Sequence, residues 1–379
     1  MKNETEVLEI VPDVPQGLDI GLRNYWYPIL ESEKLPAGKP LGLTLLGEDL
    51  VAWRDAEGKP NVVNDRCPHR GARFTMGRVL DGRIQCALHG LRFDGAGRCV
   101  LIPWEPEDSK LLTELSIAGY PAGELGGYVW AYLGDTVEFP PPPLADEVPE
   151  ELLDEENFIV FRMPTTVWDA NWLLTVDGAD EFHAVTLHAE SQAVKDDAWE
   201  SGKPEHVGVS LADRRVKLVS TPGGLHGVAT GRDGEPIHHG HFLGGRKGER
   251  FTLPGTFHIP IHPAVGAPPY TSRVWHIAID DQRTLVARYL CWRASTPEER
   301  ERAEQVYHDL ALPRLRKVAE EDAIISAGMG DLVTARKNEF LFNADSEVIR
   351  IRRDLKAAFL AQREGRRIAV PKEALVFPA

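Results

Sequence analysis

The sequence predicts an α+β protein: an N-terminal antiparallel β domain, then a helix-grip domain whose curved antiparallel sheet holds long helices. Three observations predict this. Residues from about 25 to 140 read as short apolar strands cut by Gly, Pro and Asp turns, as in LGLTLLG, LVAWRD, PNVVND, GRIQCA and GYVWAYLG. The run PPPP at 140–143, among acidic residues, ends that pattern and reads as a stiff spacer. Strand-like and helical stretches then follow to the C-terminus. The predicted domains are residues 1–145 and 146–379.

Along the second domain, FIVFRMPTTV reads as a strand, and DANWLLTVDGADEFHAVTLHAE as helical. VGVSLA, RVKLVST, TFHIPIH, SRVWHIAI and TLVARYLCWRA then alternate as strands. TPEE opens a helix: Thr296 caps it, Pro297 sits in the first turn and Glu299 closes a capping box. RIRRDLKAAFLAQREG is a further amphipathic helix.

Composition limits the function. Forty-three basic against 58 acidic residues give a net charge of −15, which argues against a nucleic-acid partner. No stretch has the length of a membrane span, and MKNETEVLEIVPDVPQG shows no export signal. No GxGxxG follows a strand, so electrons for any redox chemistry come from another protein. Of four cysteines, Cys99 and Cys291 lie in apolar strand-like runs and read as small buried hydrophobes rather than a disulfide.

The other two cysteines carry the chemistry. Cys67-Pro68-His69 is followed after sixteen residues by Cys86-Ala87-Leu88-His89. Each loop offers one thiolate and one imidazole, the ligand set of a Rieske [2Fe–2S] centre, with thiolates on one iron and imidazoles on the other. Gly71 and Gly90 allow backbone amides close to the sulfurs. Two Cys and two His also serve tetrahedral zinc, although zinc motifs usually pair Cys with Cys and His with His. An iron–sulfur motif, few cysteines and no export signal together point to the cytoplasm.

A second constellation, Asp180, His183 and His188, reads D-x2-H-x4-H. On a regular helix, positions i and i+5 lie about 140° apart, so both histidines reach one ion only if the helix is bent or bulged. In LPRLRKVAEEDAIISAG the stripe Leu312, Leu315, Val318, Ala319 and Ile325 brings Asp322 toward the core and turns Glu320 and Glu321 away. A carboxylate on such a stripe needs a cation to offset its desolvation.

Together, the paired loops, the D-x2-H-x4-H segment and the late helix aspartate resemble the Rieske non-heme iron ring-hydroxylating oxygenases, specifically their terminal oxygenase component. The opening GLRNYWYPILESEKLPAGKPLGLTLLGEDLVAWR is similar to the homo-oligomeric branch, which includes the carbazole dioxygenases, phthalate dioxygenases and O-demethylases, and the overall layout resembles the carbazole dioxygenases most. The resemblance implies a [2Fe–2S] cluster on Cys67, His69, Cys86 and His89, and mononuclear Fe(II) on His183, His188 and Asp322. It also implies that Asp180 bridges His89 of a neighbouring subunit and His183 in a ring of subunits, expected to be a homotrimer. Gly178 matches a position whose carbonyl contacts substrate, and Phe182 is expected to tighten the site. Many members carry Asn where this chain has Asp177. The implied activity is O2-dependent dihydroxylation of an aromatic or heteroaromatic substrate, with electrons from a ferredoxin or reductase. Demethylation or monooxygenation, and a non-catalytic electron carrier, are the alternatives.

Seven arginines between residues 65 and 98 face three aspartates, a net +4 suited either to steering an acidic ferredoxin or to bracing the loops. His258 and His262 share a strand face suited to lining a pocket, and His238, His239 and His241 sit in a Gly-rich loop; the default for all five is a structural or solvated role.

Overall fold

The computed structural model describes residues 9–11, 14–178, 183, 187–188, 215–221, 224–230, 251–261, 267–337, 339–341 and 345–371. The fold is α+β, as the pattern predicts.

Among the described residues the N-terminal part holds three larger antiparallel sheets beside a two-stranded pair, Glu9–Val11 with Val14–Pro15. Leu41–Leu45, Glu48–Arg54, Pro60–Asn64 and Gly119–Tyr120 form the first of the three. Tyr25–Glu31, Tyr128–Leu133 and Ala122–Leu125 form the second. Arg78–Leu80, Arg83–Gln85, Arg92–Phe93 and Cys99–Leu101 form the third. A small core of Trp53, Phe74, Ile84 and Phe93 lies beneath the two Cys/His loops and includes Cys67, Cys86 and Cys99. Cys99 and Cys291 are both free, in separate cores.

The proline run is not a bare spacer. The Trp26 indole donates to the Pro142 carbonyl at 2.9 Å, and the 3-10 turn Glu150–Leu152 inserts Glu151 into the second domain. There Arg273 Nε donates to Glu151 Oε1 at 2.6 Å and the Tyr289 hydroxyl donates at 2.9 Å. Both charged side chains are essentially inaccessible. Glu151→Ala removes this carboxylate from a buried guanidinium, which costs roughly 3–5 kcal/mol. A marked fall in the thermal unfolding midpoint is expected, and an unchanged midpoint would remove this pair from the account of stability.

The second domain is built on a five-stranded antiparallel sheet, ordered Phe158–Trp168, Thr284–Arg293, Tyr270–Ala278, Thr256–Ile261, Phe251–Thr252. Strand alternation gives it two faces. Trp275 and Tyr289 meet the first domain: the Trp275 ring lies 6.0 Å from Tyr128 and 5.6 Å from Trp130, and the Tyr128 hydroxyl donates to the Arg288 carbonyl at 3.1 Å. The opposite face, with Ile261, Tyr270, Leu290 and Trp292, packs on the long C-terminal helix through Val306, Tyr307, Leu310 and Leu315. RVKLVST and the residues after it form a separate hairpin, Arg215–Thr221 with Gly224–Thr230; VGVSLA lies outside the described residues.

The long helix begins at Thr296 with both bonds of the predicted capping box present. It runs through Pro297–Val306, a π segment Tyr307–Ala311, and Leu312–Gly328. Pro313 explains the π segment, since it lacks the N–H that an α-helix would aim at the Asp309 carbonyl. The bend or bulge expected between His183 and His188 falls on residues 184–186, outside the described residues. Beyond the π segment the buried and half-buried positions include Leu315, Val318, Ala319, Glu321, Asp322 and Ser326, whereas Ile325 is exposed, contrary to the predicted stripe. RIRRDLKAAFLAQREG falls on the helix Ser346–Arg363.

Candidate metal centres

The Cys/His loops are near copies of one turn. Cys67 N–H bonds the Ala72 carbonyl at 2.9 Å and Gly71 N–H returns to the Cys67 carbonyl at 2.8 Å; Cys86–Leu91 and Gly90–Cys86 repeat this at 2.9 and 3.1 Å. Each turn closes through a left-handed residue, Gly71 at φ +73° and Gly90 at φ +78°, where a side chain would be strained. The sulfurs are buried. The imidazoles lie outward, with His69 Nδ1 3.0 Å from His89 Nδ1. Burial pushes the Cys67 thiol up to about 11, backbone N–H groups of His69 and Arg70 oppose this, and Cys86 beside it raises it further. Such a thiol becomes a thiolate only when a metal displaces its proton. Two buried sulfurs and two converging Nδ1 atoms therefore fit a [2Fe–2S] cluster.

The second centre starts from the short helix Trp172–Asp177. Asn171 caps it by accepting from Leu173 N–H at 2.9 Å, and its amide donates to the Asp19 and Asp281 carbonyls at 2.9 and 2.8 Å. The helix ends at Gly178, so DANWLLTVDGADEFHAVTLHAE is not one continuous helix. Leu187 N–H bonds the His183 carbonyl at 2.6 Å, one helical turn, and His188 follows in a turn. That brings the two imidazoles to 5.4 Å between ring centres.

Asp322 completes the group. Its Oδ1 lies 3.2 Å from His188 Nε2 and 3.7 Å from His183 Nε2. One donor atom from each residue falls within 4.8 Å of the others. Ligands about 2.1 Å from one ion and at right angles lie about 3 Å apart, so the geometry fits one metal. Two imidazoles and one carboxylate form the donor set of a non-heme iron triad. Burial raises the Asp322 carboxyl, but the hydrogen bond from His188 and the charges of His183, His188 and Arg288 outweigh it and hold it below its ordinary value.

Glu321 departs from the expected phase. Its Oε2 lies 2.6 Å from His188 Nδ1 and it is mostly buried, while Glu320 stays exposed. A carboxylate accepting from Nδ1–H leaves Nε2 bare for a metal and raises the imidazole's basicity. Glu321→Gln is expected to weaken iron binding at this centre by ~10–100-fold and to leave the cluster intact. Iron retention under graded chelator checks it, and wild-type retention would make Glu321 a bystander.

Asp177 is also tied down by residues that sequence reading did not connect to it. It accepts from Arg336 at 2.8 Å and from Arg352 at 2.6 and 2.9 Å, and Arg352 also pairs with Glu339 at 2.6 Å. Two guanidiniums thus offset two carboxylates. Burial pushes Asp177 up, against the Arg352 hydrogen bond and the charge of Arg336. Asp177 therefore locks two C-terminal helices to the segment leading toward His183, and its charge is spent on that clamp. Gly178 caps the helix; Asp180 and Phe182 lie outside the described residues.

The arginine patch is smaller than its count. Arg66 and Arg73 share Asp49 at 2.8 and 2.9 Å, Arg92 meets Asp81, and Arg98 meets Asp94. Arg70, Arg78 and Arg83 remain exposed near the loops. Trp104, 78% exposed, donates to the His89 carbonyl at 3.1 Å, and Met76 and Leu88 are exposed nearby in sequence. His258 is buried; His238, His239, His241 and His262 lie outside the described residues. Among the described residues, no helix is long and apolar enough to cross a membrane.

Comparison with known proteins places both parts of the chain in families. The Rieske [2Fe–2S] domain family matches residues 25–121, and the homotrimeric ring hydroxylase family matches residues 132–360, more than half of the chain. The 3-chlorobenzoate-3,4-dioxygenase oxygenase subunit of Comamonas testosteroni is 35% identical over 49% of this chain and 42% of its own length. The chain thus spans less than half of that relative, and likewise of the phthalate 4,5-dioxygenase oxygenase subunit of Pseudomonas putida, at 32% identity and 39% of its length. The carbazole 1,9a-dioxygenase terminal oxygenase component of Metapseudomonas resinovorans is matched along most of its length, 27% identical over 87% of this chain and 89% of its own. Among solved structures, a fluorene-bound oxygenase–ferredoxin complex of carbazole 1,9a-dioxygenase superposes with a TM-score of 0.65 at 25% identity, covering 89% of this chain and 91% of that one. The Novosphingobium terminal oxygenase shares the fold, with a TM-score of 0.66 at 24% identity over 90% of this chain and 94% of that one. The chain belongs to the homotrimeric ring hydroxylase family, with a Rieske [2Fe–2S] domain in its N-terminal part and, as that family's cofactors, the cluster and a mononuclear iron.

Proposed function

We propose that this chain is the terminal oxygenase component of a Rieske non-heme iron dioxygenase. The observation that carries the reading is the convergence of His183, His188 and Asp322 in a chain that also brings two thiols and two imidazoles together. An electron carrier has no use for the second group.

Cys67 and Cys86 would hold one iron of the cluster inside the fold, and His69 and His89 the other at its surface. Electrons from a ferredoxin or reductase enter at that outward edge, with Arg70, Arg78 and Arg83 as the cations free to meet an acidic donor. His183, His188 and Asp322 would hold the mononuclear iron, which when bound supplies dioxygen activation beside an aromatic substrate. Substrate, dioxygen, two electrons and two protons balance to a cis-dihydrodiol. Glu321 fixes the His188 tautomer, and Asp177 anchors the segment ahead of Asp180. Asp180 is assigned the bridge to His89 of a neighbouring subunit in a homotrimer, and Gly178 and Phe182 the substrate side. Asp180→Asn bears on the bridge alone, because the amide's NH2 cannot accept an imidazole N–H. Cytoplasmic location belongs to the same reading, as the place where an iron–sulfur protein meets its reductant.

Metal analysis and product analysis test it together. Three irons and two labile sulfides per chain are expected, with O2-dependent conversion of an aromatic substrate only when a ferredoxin and reductase are supplied. Two irons, or stoichiometric zinc, would refute the oxygenase. A hydroxylated or demethylated product in place of a diol would make it a monooxygenase; a tert-butanol monooxygenase and a dehydrodivanillate O-demethylase are among the matched relatives.

A further inference from the structure

Two central strands of the catalytic sheet place a polar group on its helix-facing side. Ser272 pairs with Leu290, Val274 with Arg288, and His276 with Val286. Strand alternation therefore puts Ser272, His276 and Arg288 on one face, with Arg288 diagonal to both others. All three are buried. The Ser272 hydroxyl, His276 Nδ1 and Arg288 Nε have no hydrogen-bond partner, and no ion pair holds the Arg288 guanidinium among the described residues. The Trp168 and Phe257 rings flank His276 at 5.6 and 5.5 Å, giving the spot aromatic walls.

The Asp322 carboxylate is close enough to act electrostatically on this group. Burial drives the Arg288 guanidinium below its ordinary value, and the Asp322 carboxylate opposes that. His276 also feels the Asp322 charge. Yet Arg288 and Asp322 form no ion pair, so the cation sits near the triad without being consumed by it. A buried guanidinium with an unmade Nε–H bond is costly, and a charged acceptor is what offsets it. Arginine's fork matches a carboxylate in particular.

We infer that Arg288, flanked by Ser272 and His276, binds the carboxylate of an aryl carboxylate substrate and directs its ring toward His183, His188 and Asp322. The inference rests on reading that triad as the reaction centre, and it narrows the substrate to an aromatic acid.

Binding of benzoate and its neutral isostere benzamide to the iron-loaded protein tests it, by calorimetry without reductant or dioxygen. Wild type is expected to hold benzoate roughly 10- to 100-fold more tightly than benzamide, the range of a charged hydrogen bond left unmade. Arg288→Met should abolish that preference, with benzoate affinity falling to that for benzamide. Arg288→Lys, which keeps the charge if the longer truncation does not fold, should retain part of it. A wild type without preference for benzoate, or a preference surviving in Arg288→Met, overturns the inference. Since no turnover is needed, an Arg288-dependent preference in a protein that makes no oxygenated product would sink the oxygenase reading and leave this site standing.

Discussion

Cys86→Ser is expected to yield a colourless protein that lacks the low-field Rieske electron paramagnetic resonance signal and two of three irons. The reason lies in burial. Cys86 is 1% exposed in the small core under the loops, and its neighbour Cys67 is held as a thiol until a metal takes the proton. A serine hydroxyl there is a harder, shorter and far less acidic donor. Cys67→Ser should match it. The loops keep their backbone bonds and glycine turns, so the apoprotein should still fold, with far-ultraviolet circular dichroism near wild type. A brown variant with an unaltered signal would show that the sulfur is no ligand.

Asp322→Ala has the second large effect, at the other centre. The variant should keep the cluster, its colour and its signal, and lose the third iron. Turnover should fall by more than the ~10–100-fold that outer partners of metal ligands cost. Removing the carboxylate leaves two imidazoles, with Oδ1 no longer 3.2 and 3.7 Å away. Asp322→Asn keeps the shape without the charge and should fall between. If Asp322→Ala keeps three irons and normal turnover, Glu321, already 2.6 Å from His188, is the carboxylate to examine.

What the sequence discloses depends on how local the signal is. The Cys/His loops are legible because each is one short turn whose spacing and glycine are covalent facts. Helix phase places Asp322 on the inward face for a similar reason: seven residues after Leu315 is two turns. The same logic fails one residue earlier, because an inward stripe is at least 100° wide and Glu321, one step round, still reaches His188. Ile325 fails in the opposite sense, a hydrophobe left exposed near the helix end. The partners of Asp177 lie 159 and 175 residues away, where no periodicity connects them. Ser272, His276 and Arg288 sit in strand runs whose hydrophobic neighbours conceal them, and only register between strands makes them one group.

The aromatic seam between the domains bears on how such a chain can be recombined. Trp275 packs against Tyr128 and Trp130, and Tyr128 bonds the backbone of the residue that carries the buried guanidinium. One core cluster runs through both sheets. The half that bears the Cys/His loops is therefore not an exchangeable cassette. A chimaera that grafts another relative's N-terminal half onto this sheet inherits a foreign surface against Trp275 and shifts the strand bearing Arg288. Evolution of substrate choice on this scaffold is then expected to proceed by point changes on the helix-facing side, with the two halves inherited as a unit.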